Sequence, residues 1–364
     1  MIRVPVTTPS RSYEVLIGGG LISRAGECLG HFLGNKRAFV VTVPPVRKRW
    51  ARALVQSLAS AGIATTMLEM PDGERAKRLT TLEVLAEKLV QRGADRGATL
   101  IALGGGVVGD VSGFLASIYM RGVDVIQVPT TVLAQVDAAI GGKTGVNLAS
   151  GKNLLGTFHQ PRAVLVDPLV LETLPDREYR AGLYEALKCG IIGDAGLFRL
   201  FEEKHKEILA REPATVEKVI ADSVHLKASV VSADEREGGL RQFLNLGHTI
   251  GHALEAETGY KVLLHGEAVG WGLLAATYIA LSAGKLISVT AGRITNSVLA
   301  LGDLPRMNVK TSSILKRLKF DKKTRQGVVR FILPREIGKV EIVSDVPETV
   351  VRSAVEEIRK LARK

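Results

Sequence analysis

The chain has 364 residues, of which 46% are hydrophobic and 24% are charged, and it carries a net charge of +12. This composition argues against disorder, and the length favours two domains. The apolar runs fall short of the roughly 18 residues that span a bilayer, and the N-terminus MIRVPVTTPS lacks the apolar core of a signal peptide. We therefore expect a cytoplasmic protein that does not interact with a membrane.

The positive charge is spread along the chain. Residues 1–175 contain 19 basic and 13 acidic side chains, and residues 176–364 contain 30 and 24, so each half has a net charge of +6. One dense basic run, Lys316 to Arg325, contains a single aromatic residue, Phe320, and no nucleic-acid-binding motif accompanies it. We therefore predict no nucleic-acid partner and expect basic side chains to bind a small phosphorylated or carboxylated substrate.

Cysteine is sparse. The two cysteines, Cys28 and Cys189, lie far apart and outside any CxxC pattern. Neither a disulfide framework nor a thiolate zinc site is expected, so we interpret both as buried structural thiols.

In chain order, the first half alternates strand-like and helix-like segments. Helical patterns such as residues 79–93 separate short apolar segments rich in β-branched residues, and this alternation predicts a parallel sheet covered by helices. Ligands of such sheets bind beyond the carboxyl ends of the strands. The predicted strands are residues 38–43, 65–70, 99–104, 123–129 and 163–167.

From about residue 176 the pattern changes to long amphipathic segments, interrupted by a predicted hairpin at residues 328–334 and 339–345. The predicted fold class is α/β, with an N-terminal parallel-sheet domain, residues 1–175, followed by a mainly helical domain, residues 176–364. The change of period sets the boundary, since no linker of low complexity is present.

A glycine cluster follows the third predicted strand. In LIALGGGVVGDVSGF, the residues Gly104 to Gly109 satisfy G-x-G-x-x-G between a strand and a helix, the context of a dinucleotide-binding turn. Glycine triplets also close tight turns for steric reasons alone, so this motif by itself leaves both interpretations open.

Three of the seven histidines cluster in the second half. His248 and His252 are spaced i,i+4 on a predicted helix, so their rings emerge on one face, and His265 follows closely. Glu185 and Lys188 are spaced i,i+3 on another helix, which is typical of a solvent-facing ion pair. A carboxylate with two imidazoles is also the ligand set of a catalytic zinc ion, which is the alternative hypothesis.

Residues 128–156 contain many glycines and small residues, and the segment is too irregular for a helix. Its polar side chains include Asp137, Lys143, Lys152 and Asn153. A loop of this kind lies on the surface or around a ligand, and two lysines flanked by glycines could close on a phosphate.

Together these segments resemble the 3-dehydroquinate synthase family over nearly the whole chain. Six motifs typical of that family occur in the same order, among them GGGVxGDxxGFxAxxYxRG, VPTTxLAxVDxxxGGKTGVN and RxxLNxGHTxGHAxE. The motifs span residues 104–122, 128–147, 151–161, 174–188, 241–255 and 264–269.

The resemblance implies that residues 1–175 form a nucleotide-binding domain for NAD and that residues 176–364 form a metal- and substrate-binding domain. It also implies roles for matching residues. Glu185, His248 and His265 would bind a divalent metal, zinc or cobalt. The residues that would contact NAD are Glu74, Lys77, Gly105, Gly106, Val107, Asp110, Thr130, Thr131 and Lys152. The residues that would contact substrate are Asp137, Lys143, Asn153, Lys188, Lys227, Arg241, Asn245 and His252. Arg121 would reach the phosphate pocket of a neighbouring subunit, which implies a homodimer, and either Lys322 or Lys323 would belong to that pocket.

The resemblance further implies an enzyme of the shikimate pathway. It would convert 3-deoxy-D-arabino-heptulosonate 7-phosphate to 3-dehydroquinate and phosphate, with NAD recycled in each turnover. Related alternatives are other sugar phosphate cyclases, such as 2-deoxy-scyllo-inosose synthase or an epi-valiolone synthase, and a metal-dependent polyol dehydrogenase. A basic binding module is the non-enzymatic alternative, but it leaves the Glu/His/His set unexplained.

One departure from the family pattern follows the first predicted strand. The family commonly has an Asp-x-Asn-like turn that contacts the adenosine ribose, whereas this chain has Val43 and Pro45 at those places. Neither side chain can hydrogen-bond, which puts the adenosine contacts in this region in doubt.

Overall fold

The computed structural model describes residues 1–34, 37–320 and 329–362. The chain divides into two units, each assembled from two segments of the sequence. The first unit contains Met1–Leu174 and Val216–Arg236, and the second contains Pro175–Thr215 and Glu237–Lys364. The sequence-based division placed one boundary after residue 175, whereas residues 216–236 group with the first unit in the structure.

The first unit is built on a seven-stranded sheet. The strands of this unit are β1 (Ile2–Thr7), β2 (Ser12–Ile17), β3 (Arg37–Thr42), β4 (Ala64–Glu69), β5 (Thr99–Gly104), β6 (Asp124–Pro129), β7 (Lys143–Leu148), β8 (Gly151–Phe158) and β9 (Ala163–Val166). Strands β7 and β8 form a separate hairpin, and the other seven form the sheet. The sheet order is β1-β2-β9-β6-β5-β3-β4. Only β1 and β2 pair antiparallel within it, and the other neighbours are parallel.

Helices dominate the second unit and accompany the sheet of the first. In chain order they are α1 (Ala25–Leu29), α2 (Pro44–Val46), α3 (Arg52–Ser60), α4 (Leu79–Gln91), α5 (Gly106–Ile118), α6 (Asp176–Gly193), α7 (Ala195–Leu209), α8 (Pro213–Ala233), α9 (His248–Glu257), α10 (His265–Ser282), α11 (Ser288–Ala300), α12 (Thr311–Phe320) and α13 (Glu348–Leu361). The second unit also contains a hairpin of β10 (Phe331–Glu336) and β11 (Lys339–Val343).

The predicted fold class, a parallel-sheet domain followed by a mainly helical one, is confirmed. The five predicted strands correspond to β3, β4, β5, β6 and β9, each within one residue at either end. Strand β5 is buried at every position because it lies inside the sheet, which explains its continuous apolar run. Strands β1 and β2 were not predicted. Pro5 interrupts the pattern of β1, where proline is tolerated because β1 is an edge strand.

The interpretation of residues 128–156 as one irregular loop is wrong for its second part. Strands β7 and β8 form an antiparallel hairpin, with Lys143 opposite Phe158. Two glycines make the hairpin possible, since a Cβ on Gly156 would lie 1.9 Å from the Thr144 carbonyl oxygen and one on Gly145 would lie 2.5 Å from that of Leu155. Glycine here indicates close approach of two strands, and not an absence of regular structure.

No helix in the described part of the chain is long and apolar enough to cross a bilayer.

The end of α8 is tied to the first unit by a buried carboxylate. Glu235 is 9% exposed and accepts hydrogen bonds from Thr8 Oγ1 at 3.1 Å, from Gln160 Nε2 at 2.9 Å and from the backbone and side chain of Ser10. Burial disfavours the charged form, but these donors outweigh it and lower the pKa of Glu235. The carboxylate thereby anchors the helix that carries Lys227.

We expect Glu235→Gln to destabilise the protein by about 1.5–3 kcal/mol near neutral pH, the scale of hydrogen bonds to a charged group. Because the folded-state pKa is lowered, this stabilisation is present above the unfolded-state pKa of about 4.3 and is lost as pH falls through the folded-state value. Urea unfolding of the parent protein and of Glu235→Gln at several pH values measures this difference in stability. The matched control is Glu14→Gln, which removes an exposed ion pair with Arg3 and should cost under about 1 kcal/mol. Equal effects at both positions would contradict the prediction.

Candidate functional site

The glycine turn joins β5 to α5 at the carboxyl edge of the sheet. A Cβ on Gly104 would lie 2.5 Å from Val108 Cγ2, and one on Gly105 would lie 3.1 Å from Thr131 Cγ2. Val108 on α5 therefore leaves no room for a side chain at Gly104, so close packing alone explains this glycine. Gly106 is different, because its Cβ would reach Ala138 at an ordinary 3.4 Å. The turn also directs the unpaired N–H groups of the first turn of α5 beyond the strand ends, where they can bind an anion.

The other predicted NAD residues near this turn lie on adjacent elements. Val107 and Asp110 belong to the first turns of α5, and Thr130 and Thr131 follow β6, the neighbouring strand. The Thr130 N–H donates to the Gly104 carbonyl oxygen at 3.0 Å, so the two strand ends are joined directly.

A second group surrounds the Lys77 ammonium, which is 4% exposed. Lys77 Nζ forms an ion pair with Asp110 and donates a hydrogen bond to Asn153 Oδ1. Asn153 has a φ of 53°, the left-handed conformation, within β8. Three residues from distant parts of the sequence, with predicted roles in cofactor or substrate binding, thus meet at one ammonium group.

Asn147 is a residue that the sequence interpretation missed. Its Nδ2 donates to Glu74 Oε1 at 2.7 Å, its Oδ1 accepts from the Asn153 N–H at 2.9 Å, and its own N–H donates to the Lys77 carbonyl oxygen at 2.9 Å. The side chain thereby links the β7–β8 hairpin to the turn that carries Glu74 and Lys77. Its place at the end of the GGKTGVN motif was the available signal.

Asp137 and Lys227 form an ion pair within the first unit. Asp137 lies in the turn Ala134–Ala138, and Lys227 lies on α8 and is 5% exposed. Lys143 and Lys152 lie on β7 and β8, respectively. The hairpin and α8 therefore supply most of the predicted substrate residues of this unit.

Arg121 does not join these groups. It lies in the segment between α5 and β6, at the opposite edge of the sheet from the glycine turn, and α5 spans about 20 Å between them. Arg121 has a φ of 71° and Met120 a φ of 47°. The exposed Arg121 side chain forms no ion pair with any residue that the structure describes.

The departure from the family pattern lies at the carboxyl end of β3, next to β5 in the sheet. Val43 is 4% exposed and precedes α2, whose first two residues are prolines. Pro44 and Pro45 fix the backbone there, and neither Val43 nor Pro45 offers a side-chain hydrogen bond.

In the second unit, α9 carries His248 and His252 one turn apart, and α10 begins at His265. The ring centroid of His248 lies 5.2 Å from those of both His252 and His265, and the latter two are 5.9 Å apart. One ligand atom from each ring lies within 4.8 Å of the others, a spacing that could hold one metal ion.

Two of these rings also point toward Glu185. His248 Nδ1 lies 3.1 Å from the Leu246 carbonyl oxygen, and His265 Nδ1 lies 3.1 Å from Glu255 Oε2. Since both partners accept, each Nδ1 donates, which leaves Nε2 available as a ligand atom. These Nε2 atoms lie 3.6 Å and 3.4 Å from Glu185 Oε1. The three residues predicted to bind metal therefore lie together.

Glu185 and Lys188 are each 1% exposed and form an ion pair, so the solvent-facing interpretation of this pair is wrong. Burial disfavours the Glu185 carboxylate, but Lys188 and His265 outweigh it and hold the pKa of Glu185 well below its usual value. Burial also disfavours a charged imidazole at His265, but Glu185 and Glu255 outweigh it and raise the pKa of His265. A divalent cation here would compete with a proton on His265.

The turn before α9 contains two predicted substrate residues. Arg241 is 1% exposed, and Asn245 Nδ2 donates to Glu237 Oε1 at 2.7 Å. Glu237 has a φ of 61°, so a non-glycine residue is held in the left-handed conformation beside a predicted substrate residue. The sequence interpretation did not single out Glu237. Lys322 and Lys323 lie outside the described residues.

Glycines bring the three helices of the cluster into backbone contact. A Cβ on Gly266 would lie 1.8 Å from the Ala181 carbonyl oxygen of α6, one turn before Glu185. A Cβ on Gly272 would lie 1.8 Å from the carbonyl oxygen of Gly247, which has a φ of 79° and precedes His248. The glycines thus allow α10 to approach both α6 and α9 closely enough for their side chains to meet.

Solved structures share this architecture. A 2-epi-5-epi-valiolone synthase from Streptomyces hygroscopicus subsp. jinggangensis, with NAD+ and Zn2+ bound, has a TM-score of 0.88 and 29% identity, covering 96% of this chain and 97% of that one. A 2-deoxy-scyllo-inosose synthase, complexed with carbaglucose-6-phosphate, NAD+ and Co2+, has a TM-score of 0.86 and 26% identity, covering 99% of this chain and 100% of that one. The fold is therefore that of the sugar phosphate cyclases.

Sequence comparison narrows the class. The family models described as 3-dehydroquinate synthase N-terminal and C-terminal match residues 67–181 and 182–324. A 3-dehydroquinate synthase from Koribacter versatilis is 54% identical over 363 residues, covering 100% of this chain and 99% of the relative. The chain belongs to the 3-dehydroquinate synthase family.

We expect Gly266→Ala to destabilise the second unit by about 1–3 kcal/mol or more, because the added methyl group overlaps the Ala181 carbonyl oxygen and must push α10 away from α6. The same displacement should weaken Co2+ binding by separating His265 from Glu185. Thermal unfolding and Co2+ titration measure the two effects. Gly292→Ala, on α11 with open space around it, is the control and should stabilise by roughly 0.5–1 kcal/mol. Unchanged stability and Co2+ affinity in Gly266→Ala would contradict the packing argument.

Proposed function

We propose that this chain is a 3-dehydroquinate synthase, which converts 3-deoxy-D-arabino-heptulosonate 7-phosphate to 3-dehydroquinate and phosphate in the shikimate pathway. The observation that carries the proposal is the 54% identity with a synthase of that name across the full length of both chains. It is a lyase that releases phosphate from a sugar acid, and we propose that it acts in the cytoplasm.

The residues present fit a divalent metal, which we propose is zinc. Both oxygens of the buried Glu185 carboxylate lie in an ion-pair cluster, with Oε2 beside Lys188 Nζ and Oε1 beside Nε2 of His248 and His265. A buried carboxylate and two imidazole Nε2 atoms form the donor set of a catalytic zinc. Glu185, His248 and His265 would hold the metal, and the Zn2+ and Co2+ named with two solved relatives support this assignment.

NAD is the second proposed cofactor, and it also appears with both solved relatives. The glycine turn offers backbone N–H groups at a helix start, and packing does not require glycine at Gly106, where a Cβ would meet only Ala138 at an ordinary 3.4 Å, so the turn fits a pyrophosphate that approaches the backbone. When bound, NAD would take up and return hydride, and the metal would polarise a substrate hydroxyl group.

The chain's own side chains would bind the two anionic groups of the substrate. Lys227 and Arg241 are 5% and 1% exposed, so their charges act in a medium of low effective dielectric constant, where attraction to a carboxylate or phosphate is stronger than at the surface. Pairing with Asp137 offsets the desolvation of the buried Lys227 ammonium. His252, the third ring of the cluster, would contact substrate, where its imidazole can hold or release a proton.

Other sugar phosphate cyclases and the polyol dehydrogenases are the alternative enzymes. Arg241, Asn245 and His252 favour the synthase, because related cyclases usually change residues in this stretch. A dehydrogenase would not need so many anion-binding side chains. A basic binding module would not need a buried Glu/His/His cluster.

We also propose a homodimer. Five exposed apolar side chains lie at the end of α5, in the turn after it and on β8, where Ser117 and Thr157 are joined by a 2.8 Å hydrogen bond. These side chains, between 37% and 48% exposed, are Ile118, Met120, Leu154, Leu155 and Phe158. A second copy of the chain on this face would cover them, and the adjacent Arg121 would then be available to its active site.

Stoichiometry tests the proposed function. With NAD far below the substrate concentration, phosphate should be released until the heptulosonate phosphate is exhausted, and no NADH should remain at the end. A dehydrogenase would consume one NAD in each turnover. Phosphate assay and absorbance at the nicotinamide band measure both quantities. The proposal is falsified if phosphate release stops after one equivalent of NAD or if NADH accumulates with product.

The shared site is tested with Arg121→Ala, which should raise KM for the substrate roughly ten- to a hundredfold through loss of a charge-assisted contact of about 1.5–3 kcal/mol. Mixing it with Glu185→Gln should restore activity in about a quarter of the sites, because a hybrid dimer has one complete site. Arg24→Ala, which removes an exposed Arg24–Glu27 pair, should leave KM unchanged. Absence of rescue after demonstrated subunit exchange would count against the shared site.

A further inference from the structure

One buried carboxylate has no role in the proposed function. Glu255 is 3% exposed, and its Oε2 accepts a hydrogen bond from His265 Nδ1 at 3.1 Å. It lies on α9 seven residues after His248 and three after His252, so the three side chains share one face of the helix. We propose that Glu255 is a positioning residue, which fixes the tautomer and the orientation of His265 so that Nε2 faces Glu185. This inference rests on the proposed metal site.

A neutral imidazole carries its proton on either nitrogen, and only an unprotonated nitrogen can bind a metal. The Glu255 carboxylate accepts but does not donate, so it selects the tautomer with the proton on Nδ1. The remaining nitrogen, Nε2, then lies 3.4 Å from Glu185 Oε1. A carboxylate behind a metal-binding histidine also makes that histidine a more basic ligand.

His265 depends on such a partner more than the other two ligands do. Its side chain is 30% exposed, against 10% for His248 and 1% for Glu185, so packing restrains it least. His248 obtains the same tautomer from the backbone carbonyl group of Leu246, which is present whatever the side chains are. The acceptor for His265 is a side chain, and it can be replaced.

Two substitutions separate the hydrogen bond from the volume that Glu255 fills. Glu255→Leu keeps a side chain of similar size and removes the acceptor, and Glu255→Gln keeps an oxygen that can accept from Nδ1. We expect Glu255→Leu to weaken Co2+ binding to the metal-depleted full-length protein about 10- to 100-fold, the usual effect of losing such a partner. Glu255→Gln should recover most of that loss. Calorimetric titration and the visible Co2+ absorption spectrum are the measurements.

The matched control is Glu257→Leu on the same helix, which removes an exposed ion pair with Arg317 at 2.6 Å and should leave Co2+ affinity unchanged. At saturation the Co2+ spectrum of Glu255→Gln should show the same coordination number as that of the parent protein, since the ligands are the same. A changed coordination number would overturn the proposal by making Glu255 a ligand, and this measurement does not require Glu255→Leu to fold. Parent-like affinity in folded Glu255→Leu would also overturn it. Failure of the parent protein to bind Co2+ would instead overturn the metal site itself.

Discussion

The candidate metal cluster depends on backbone contacts that leave no room for a side chain. Gly266 and Gly272 lie two turns apart on α10, and each faces a carbonyl oxygen of another helix or its preceding residue at a distance that a Cβ could not occupy. Helices that pack through larger side chains lie about 8–10 Å apart, which would separate short ligands such as His and Glu. The glycines therefore set the distances between Glu185, His248 and His265 before any metal binds.

Charges in both units are balanced locally. Lys227 with Asp137 and Lys188 with Glu185 are cation–carboxylate pairs in which at least the cation is buried. Desolvation opposes each charge, and the partner stabilises it, so removal of one member leaves an uncompensated charge that is strongly destabilising. The pairs thus keep lysine side chains charged and fixed in position. Under the proposed function, each of these cations would need little reorganisation to receive an anionic group of the substrate.

The sequence predicted those features that depend on local pattern. Strands β3 and β5 were found because their apolar runs are continuous, and the histidine pair on α9 was found because i,i+4 spacing defines a helix face. Asn147 and Glu255 were not recognised, since their roles arise from contacts with residues in other elements that no local pattern encodes. The β7–β8 hairpin was missed because its glycines serve close strand approach, which looks like a loop signal in the sequence.

Helix α8 has a consequence for how the chain is made. Thr8 and Glu235 are in contact within the first unit although 227 residues separate them in the sequence. At a synthesis rate of about 5–20 residues per second, roughly 10–45 s separate the synthesis of Thr8 from that of Glu235. Residues 175–215 of the second unit emerge during that interval. The first unit therefore cannot be completed before part of the second unit has been translated, and a nascent chain ending at Leu174 lacks the helix that supplies Lys227.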